Sequence, residues 1–274
     1  MQWRIIDTGF NDGYYNMAVD EALLHSVTSS ESEPVIRFYG WQPAAISIGY
    51  FQKLEDEIDI AGCAKRGIDV VRRLTGGRAV LHHQEITYSI IAPENNPAVS
   101  GSIVQSYLKI SQGLLYGLKS LGIPVELVPH GVKPTGDSTA ACFEAPSWYE
   151  LAVEGKKLVG SAQTRKNGSL LQHGSILIDL DIDLLADTIT FKSQQAKERF
   201  IKSFSLKATS IHQVMKRVYN YNELRDTLTA GFQKALDISL EQSSLTDREA
   251  GLISKLDHKY KSSQWNYHRI VDGS

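Results

Sequence analysis

Two stretches of the chain gather side chains able to do chemistry. The first is Arg72-Arg73-Leu74-Thr75-Gly76-Gly77-Arg78-Ala79-Val80-Leu81-His82-His83-Gln84-Glu85, between the strand-like runs Ile68–Val71 and Ile86–Ile91. Adjacent glycines, Gly76 and Gly77, let a backbone take positive φ and approach a ligand closely. The flanking arginines are planar forks suited to an anionic or carbonyl-bearing ligand. The same residues also fit an ordinary hairpin turn with solvated arginines. Composition leaves both readings open, and His82 fits either a site residue or a core histidine bonded to the backbone.

The second stretch centres on Cys142, at a loop-to-strand junction in Ala141-Cys142-Phe143-Glu144-Ala145-Pro146-Ser147-Trp148-Tyr149-Glu150. A lone cysteine beside an aromatic is commonly a small packing residue. Lys157 changes the chemistry available here. It lies on the next predicted strand, across the Glu154-Gly155 turn, so antiparallel pairing can bring its ammonium near the thiol. A nearby cation favours the thiolate, which is the nucleophile. A solvated strand lysine is the plainer alternative. Cys63 has no such setting and is expected to be packing.

These groups need a scaffold. Trp3 to Asp7 reads as a strand, followed by a helix capped by Asn16 and running to about Val27. Its expected inward stripe is Val19, Ala22, Leu23 and Ser26. Strands are expected over Val35–Tyr39 and Ala45–Gly49, around the Gly40-Trp41-Gln42-Pro43 turn. A helix around Glu55 to Arg66 follows. Ser102 with Gln105 has capping-box form and starts a helix to about Leu121, with Leu108, Ile110, Leu114, Leu115 and Leu118 on its buried face. Pro124 to Val128 reads as a strand, and His130 to Ala140 as a loop at the mouth of a site. Strands follow around Trp148–Val153, Lys157–Gln163 and Ser175–Asp179, with Lys166-Asn167-Gly168 as a turn. From about residue 181 the texture is helical, with starts at Asn220/Glu223 and Thr246/Glu249. The charged stretch Lys192–Lys207 reads as a solvated helix or linker, or as a partner contact. Strands first and helices after predict α+β: a mainly antiparallel sheet backed by helices.

Bulk properties narrow the function classes. A chain of 274 residues suits a single domain, residues 1–274, with a helical C-terminal part. A net charge of -2 offers no basic field for nucleic acid. No apolar run is long enough to span a bilayer, and Met1–Asp7 lacks a signal-peptide pattern. Two cysteines make no disulfide framework, which points to the cytoplasm. The spacing of cysteines and histidines matches no metal motif, so no metal is expected.

The pattern Arg-Arg-x-Thr/Ser-Gly-Gly-x-Ala-Val-x-His, Arg72 to His82, resembles the signature loop of the lipoate–protein ligase and octanoyltransferase family. A second block, Gly155-Lys156-Lys157-Leu158-Val159-Gly160-Ser161-Ala162-Gln163-Thr164-Arg165 followed by His173-Gly174, resembles the same family. The likeness covers nearly the whole chain and implies the biotin/lipoate protein ligase fold. The surroundings of Cys142 are similar to those in octanoyltransferases of the LipM type. That resemblance implies that Cys142 forms an acyl-thioester and that Lys157 lowers its pKa. It implies that Arg73, Gly76, Gly77 and His82 line the acyl pocket. The implied reaction moves an octanoyl group from octanoyl-acyl carrier protein to a lysine of a lipoyl-accepting protein, the glycine cleavage system H protein or another lipoyl domain. No ATP, metal or other cofactor is expected, because the carrier thioester is already activated. An ATP-dependent lipoate–protein ligase is the alternative. Such ligases usually have a third glycine and an Asp-x-Gly-Asn continuation, where this chain has Arg78 and His83-Gln84-Glu85-Ile86. A biotin ligase lacks support, since its arginine- and glycine-rich nucleotide loop is missing. A catalytically inactive docking module is a third class, which an intact Cys142 and Lys157 argue against.

Overall fold

The computed structural model describes residues 1–129 and 149–270. Strand β1 (Gln2–Asn11) leads into helix α1 (Gly13–Thr28). Asp12 caps that helix, accepting from the Tyr15 N–H at 2.7 Å. Asn16, the expected cap, lies inside the helix instead. It is buried, and its amide donates to the carbonyls of Asn11 and Gly40. Helix α1 is buried nearly all round, so two carboxylates, Asp20 and Glu21, are enclosed beside the expected apolar stripe. A helix walled on most sides has no single apolar stripe to read.

The next strands, β2 (Val35–Trp41) and β3 (Ala45–Ile48), part company at Gln42-Pro43 and enter different sheets. The expected helix over Glu55–Arg66 is broken into α2 (Leu54–Glu57) and α3 (Ile60–Lys65). Between them Ile58 bridges to Ile189, and Asp59 caps α3 through the Gly62 N–H. Then come β4 (Asp69–Arg72), β5 (Val80–His82) and β6 (Glu85–Pro93). Helix α4 (Ile103–Ser120) starts with the expected Ser102/Gln105 capping box and buries Ile110, Leu114 and Leu118, while Leu108 and Leu115 are half-buried.

After β7 (Glu126–Pro129) come β8 (Tyr149–Val153), β9 (Lys156–Lys166) and β10 (Ser169–Leu177). Positive φ at Asn167 and Gly168 closes a two-residue hairpin between β9 and β10, so β10 begins six residues before the expected Ser175. All of β10 is buried, which removes the alternation that marks a strand in sequence. The remainder is helical, as expected: α5 (Ile182–Ala186), α6 (Gln194–Lys207), α7 (Ile211–Met215), α8 (Tyr221–Leu236) and α9 (Asp247–Lys261). Two short strands, β5 and β11 (Ser239–Gln242), were not foreseen. In α6, Phe200 and Phe204 are buried in the core, while Leu206 is exposed.

The eight-stranded sheet runs β11-β1-β2-β6-β10-β9-β8-β7. Its first two pairings are parallel and the other five antiparallel, a mixed but mainly antiparallel sheet. Helices α4 and α8 cover one face, where Phe38, Tyr88, Leu114 and Phe232 pack. Helix α1, backed by α9, covers part of the other. The small sheet β4-β3-β5 lies on that second side, packed with α5 and α6. No helix among the described residues is long and apolar enough to cross a membrane.

Candidate active site

Cross-strand register builds a cavity on the α1 side of the large sheet. Tyr39, Thr87, Ser175 and Gly160 are successive partners across β2, β6, β10 and β9. The neighbouring row reads Arg37, Ser89, His173 and Ala162. Cross-strand partners share a face, and both rows run from a large residue on β2 to glycine or alanine on β9. Over Gly160 and Ala162 little remains to fill the space beneath the small sheet. The result is a narrow cavity with about 360 Å³ of atom-free space, its mouth included. Ser47, Val80 and His82 close it from the small sheet, and Met17 from α1.

The signature loop forms a wall of this cavity, but not as a hairpin. Strands β4 and β5 both pair with β3 between them, so the loop crosses over one strand. Gly77 takes φ +92°. A Cβ at Gly49, where β3 ends, would lie 1.9 Å from the Gly77 carbonyl oxygen. The close approach expected of the glycine pair is thus to the protein's own strand end. Gly76 has an ordinary φ and open space beside it. Gly76 and Gly77 do not border the cavity itself among the described residues.

Arg73 holds the loop. Its Nε donates to Thr75 Oγ1 at 3.1 Å, and Nη1 donates to the carbonyl and hydroxyl oxygens of Ser47 at 2.9 and 3.1 Å. Nη2 donates to the carbonyls of Gly76 and Arg78. All five N–H groups of the guanidinium are therefore engaged. Arg72 donates to the carbonyls of Gly49, Tyr50, Gln52 and Asn266. The two forks shape backbone rather than reach towards a ligand.

From Arg73 two matching relays run outward. Thr75 Oγ1 lies 2.7 Å from His173 Nε2, and His173 Nδ1 lies 2.9 Å from Asp20. Ser47 Oγ lies 2.7 Å from His82 Nε2, and His82 Nδ1 lies 2.7 Å from Glu85. An ionised carboxylate only accepts, so His173 donates from Nδ1. Its Nε2 then accepts from Thr75, whose oxygen takes the Arg73 N–H. Burial alone would raise the Asp20 carboxyl, but the charge of Arg37 at 2.7 Å and the His173 bond hold it below its ordinary value. Burial pushes His173 down, against the pull of Asp20. Around Glu85 the hydroxyls of Thr87 and Ser175 also donate, and Trp41 donates its indole N–H to Thr87 Oγ1 at 2.7 Å. Both nitrogens of both histidines are used, by side chains rather than backbone. His82 borders the cavity, with both ring nitrogens bonded within its wall.

Lys157 reaches the same face of the sheet through an irregularity. Leu151 pairs with Val159 but Ala152 pairs with Lys157, so Leu158 is an extra residue on β9. Leu151 and Val159 belong to the core under α4 and α8. The bulge re-aims Lys157 to the opposite face, that of Gly160 and Ala162. Lys157 is 3% exposed, and its carbonyl accepts from the Thr209 N–H. It does not line the cavity among the described residues, standing three residues along β9 from Gly160. Cys142 and the loop His130–Ala140 lie outside the described residues. Cys63 is fully buried, and burial followed by the charge of Asp59 pushes its thiol up to about 11. His83 is exposed. No three His, Cys, Asp or Glu side chains among the described residues are grouped as metal ligands would be.

Asp20, Arg37, Ser47 and Trp41 were not foreseen as parts of this region. A signal existed for the first. Asn16 and Asp20 are four residues apart and so share a helix face, with the apolar Met17, Ala18 and Val19 between them.

The arrangement is thus a mainly antiparallel sheet backed by helices, with a narrow cavity beside an arginine-pinned glycine loop. Residues 12–233 match the family model for the lipoyl protein ligase A/B catalytic domain. Octanoyltransferase LipM of Staphylococcus epidermidis is 46% identical, over 97% of this chain and 99% of its own. Octanoyltransferase LipM of Carboxydothermus hydrogenoformans is 47% identical, over 96% and 97%. The bi-partite lipoate protein ligase of Thermoplasma acidophilum shares the fold with a TM-score of 0.81 at 24% identity, covering 99% of this chain and 98% of its own. The chain belongs to the octanoyltransferase LipM family of acyltransferases, within the lipoyl protein ligase A/B class.

Proposed function

We propose that the protein carries an octanoyl group from octanoyl-acyl carrier protein, through a thioester on Cys142, to a lysine of a lipoyl-accepting protein. The glycine cleavage system H protein is the acceptor that the family resemblance favours. One catalytic domain, residues 1–274, does this in the cytoplasm, where a reducing pool keeps Cys142 a free thiol. The observation that carries the reading is the narrow, apolar-walled cavity between the two sequence blocks the family shares.

The Cys142 thiolate attacks the carrier's thioester carbonyl. The new C–S bond forms, the old one breaks, and the carrier leaves as a thiol after taking up a proton. One thioester replaces another at little thermodynamic cost. The neutral amine of the acceptor lysine then attacks the acyl-enzyme, loses a proton and expels the Cys142 thiolate, leaving an amide. Lys157 supplies a cation that favours the thiolate. Six or seven buried methylenes at roughly 0.8 kcal/mol each supply about 5 kcal/mol before the costs of binding. Arg73, Gly76 and Gly77 serve by holding the wall, and His82 by forming part of it.

The ATP-dependent ligase loses support at Ile86. That residue stands where ligases carry a nucleotide-holding asparagine, and it is fully buried in the core under α4 and α8. The test is intact mass spectrometry after mixing with octanoyl-acyl carrier protein without acceptor. One hydroxylamine-sensitive octanoyl group should appear, be lost in Cys142→Ser and persist in Cys63→Ser. ATP-dependent lipoylation by the Cys142→Ser protein would overturn the reading in favour of the ligase.

A further inference from the structure

Trp41 stands at the β2 end of the cavity, where the row across the sheet is bulkiest. From β2 to β9 are three strand spacings, about 14 Å. The β9 end carries Gly160, Ala162 and, further along the strand, Lys157. On the octanoyl-transfer reading the reacting carbonyl lies near Lys157, so the methyl end of the chain points towards β2.

The Trp41 ring is locked on three sides. It stacks on His82 with centroids 3.8 Å apart and planes 10° from parallel, and its centroid lies 5.7 Å from that of Tyr39. Its N–H is tied to Thr87. Behind it lies a second, wide groove bounded by Phe10, Ile178, Val218 and Tyr221, with about 1280 Å³ of atom-free space. Trp41 is the one described residue that lines both spaces. Its indole is shared between the narrow cavity and the wide groove, beside the buried Glu85, which borders the groove and is bonded to the cavity residues His82, Thr87 and Ser175.

We propose that Trp41 is the end wall of the acyl cavity and sets the length of chain the enzyme accepts. This rests on the octanoyl-transfer reading. A chain longer than the cavity meets a ring with no room to turn, because close-packed walls accept extra methylenes only by strain. Removing the indole joins the cavity to the groove and gives the methyl end a way through.

The test is the rate of Cys142 acylation by octanoyl-, decanoyl- and dodecanoyl-acyl carrier protein, read by intact mass spectrometry on the full chain. The quantity followed is the dodecanoyl-to-octanoyl ratio of kcat/KM. Trp41→Ala should raise it at least about ten-fold, the scale on which apolar pockets discriminate single methylenes. Trp41→Leu should raise it less, and Trp41→Phe, which keeps a ring on His82, least of all. Where the alanine variant does not melt cooperatively, the leucine and phenylalanine variants decide. An unchanged ratio in folded variants overturns the end wall and leaves octanoyl transfer standing. A wild-type enzyme that takes no acyl group of any length overturns both.

Discussion

Arg73 offers five N–H groups, and Thr75, Ser47, Gly76 and Arg78 take them all. Hydrogen bonds to a charged group are worth about 1.5–3 kcal/mol each, and a buried donor left without a partner costs as much again. Lysine has three donors on a point charge and cannot copy the fork. Arg73→Lys should therefore lose both histidine relays and destabilise the fold by about 3 kcal/mol or more in urea denaturation. A variant within about 0.5 kcal/mol of wild type would mean that the relays do not depend on the guanidinium. Lys157 belongs at this scale too. If it holds the Cys142 thiol ionised, Lys157→Ala should move the pH midpoint of thiol alkylation upward and slow acylation at neutral pH. An unmoved midpoint would leave Lys157 without that role. The polar members of these relays were unequally legible. Arg73, Thr75, His82, Glu85 and His173 stand in conspicuous blocks. Asp20 is 153 positions from its His173 partner, and nothing local announces such a pairing.

The elements were easier to foresee than their partners. Capping boxes at Ser102 and Thr246 are local chemistry and start α4 and α9 as expected. Which strands pair is decided by tertiary contacts, and there the glycine loop misled. It sits between strands and looks like a hairpin, yet β3 comes between β4 and β5. The bulge on β9 was equally invisible, since an extra residue leaves no mark in a run such as Lys157-Leu158-Val159. The tight junction of β3 with the loop gives a test. Gly49→Ala places a Cβ 1.9 Å from the Gly77 oxygen, so the backbone of the loop must move. Acylation should fall at least about ten-fold, and the melting temperature should drop as for about 2 kcal/mol of strain. Gly76→Ala meets open space at an ordinary φ and should change stability by less than about 0.5 kcal/mol. Equal melting of the two variants would remove the junction as a constraint on the loop.

The segment after α9 is tied to β4, the strand that leads into the signature loop. Trp265 donates its indole N–H to the Arg72 carbonyl at 2.9 Å, and Asn266 accepts from the Arg72 N–H at 2.7 Å. This C-terminal segment follows α9, which is fastened to α1 by Glu21. Lys259 donates to both Glu21 oxygens, at 2.8 and 2.6 Å, and the Tyr260 hydroxyl adds a third bond at 2.7 Å. The helical texture of this region was readable, but a glutamate 238 positions away was not. Burial alone would raise the Glu21 carboxyl, yet His25, Lys259 and Tyr260 outweigh it and hold it at about 2, below an ordinary 4.5. A depressed carboxyl contributes stability that is present above its unfolded value and lost as pH falls through the folded one. The fastening should therefore weaken between about pH 4.5 and 2. Glu21→Gln leaves the Lys259 ammonium buried without its counter-charge and should cost about 3 kcal/mol at neutral pH. In the same variant the fall of stability between pH 4.5 and 2 should be shallower by about one proton, as read from melting temperature against pH. A variant with the wild-type slope would mean that the join between α1 and α9 does not rest on the ionised Glu21.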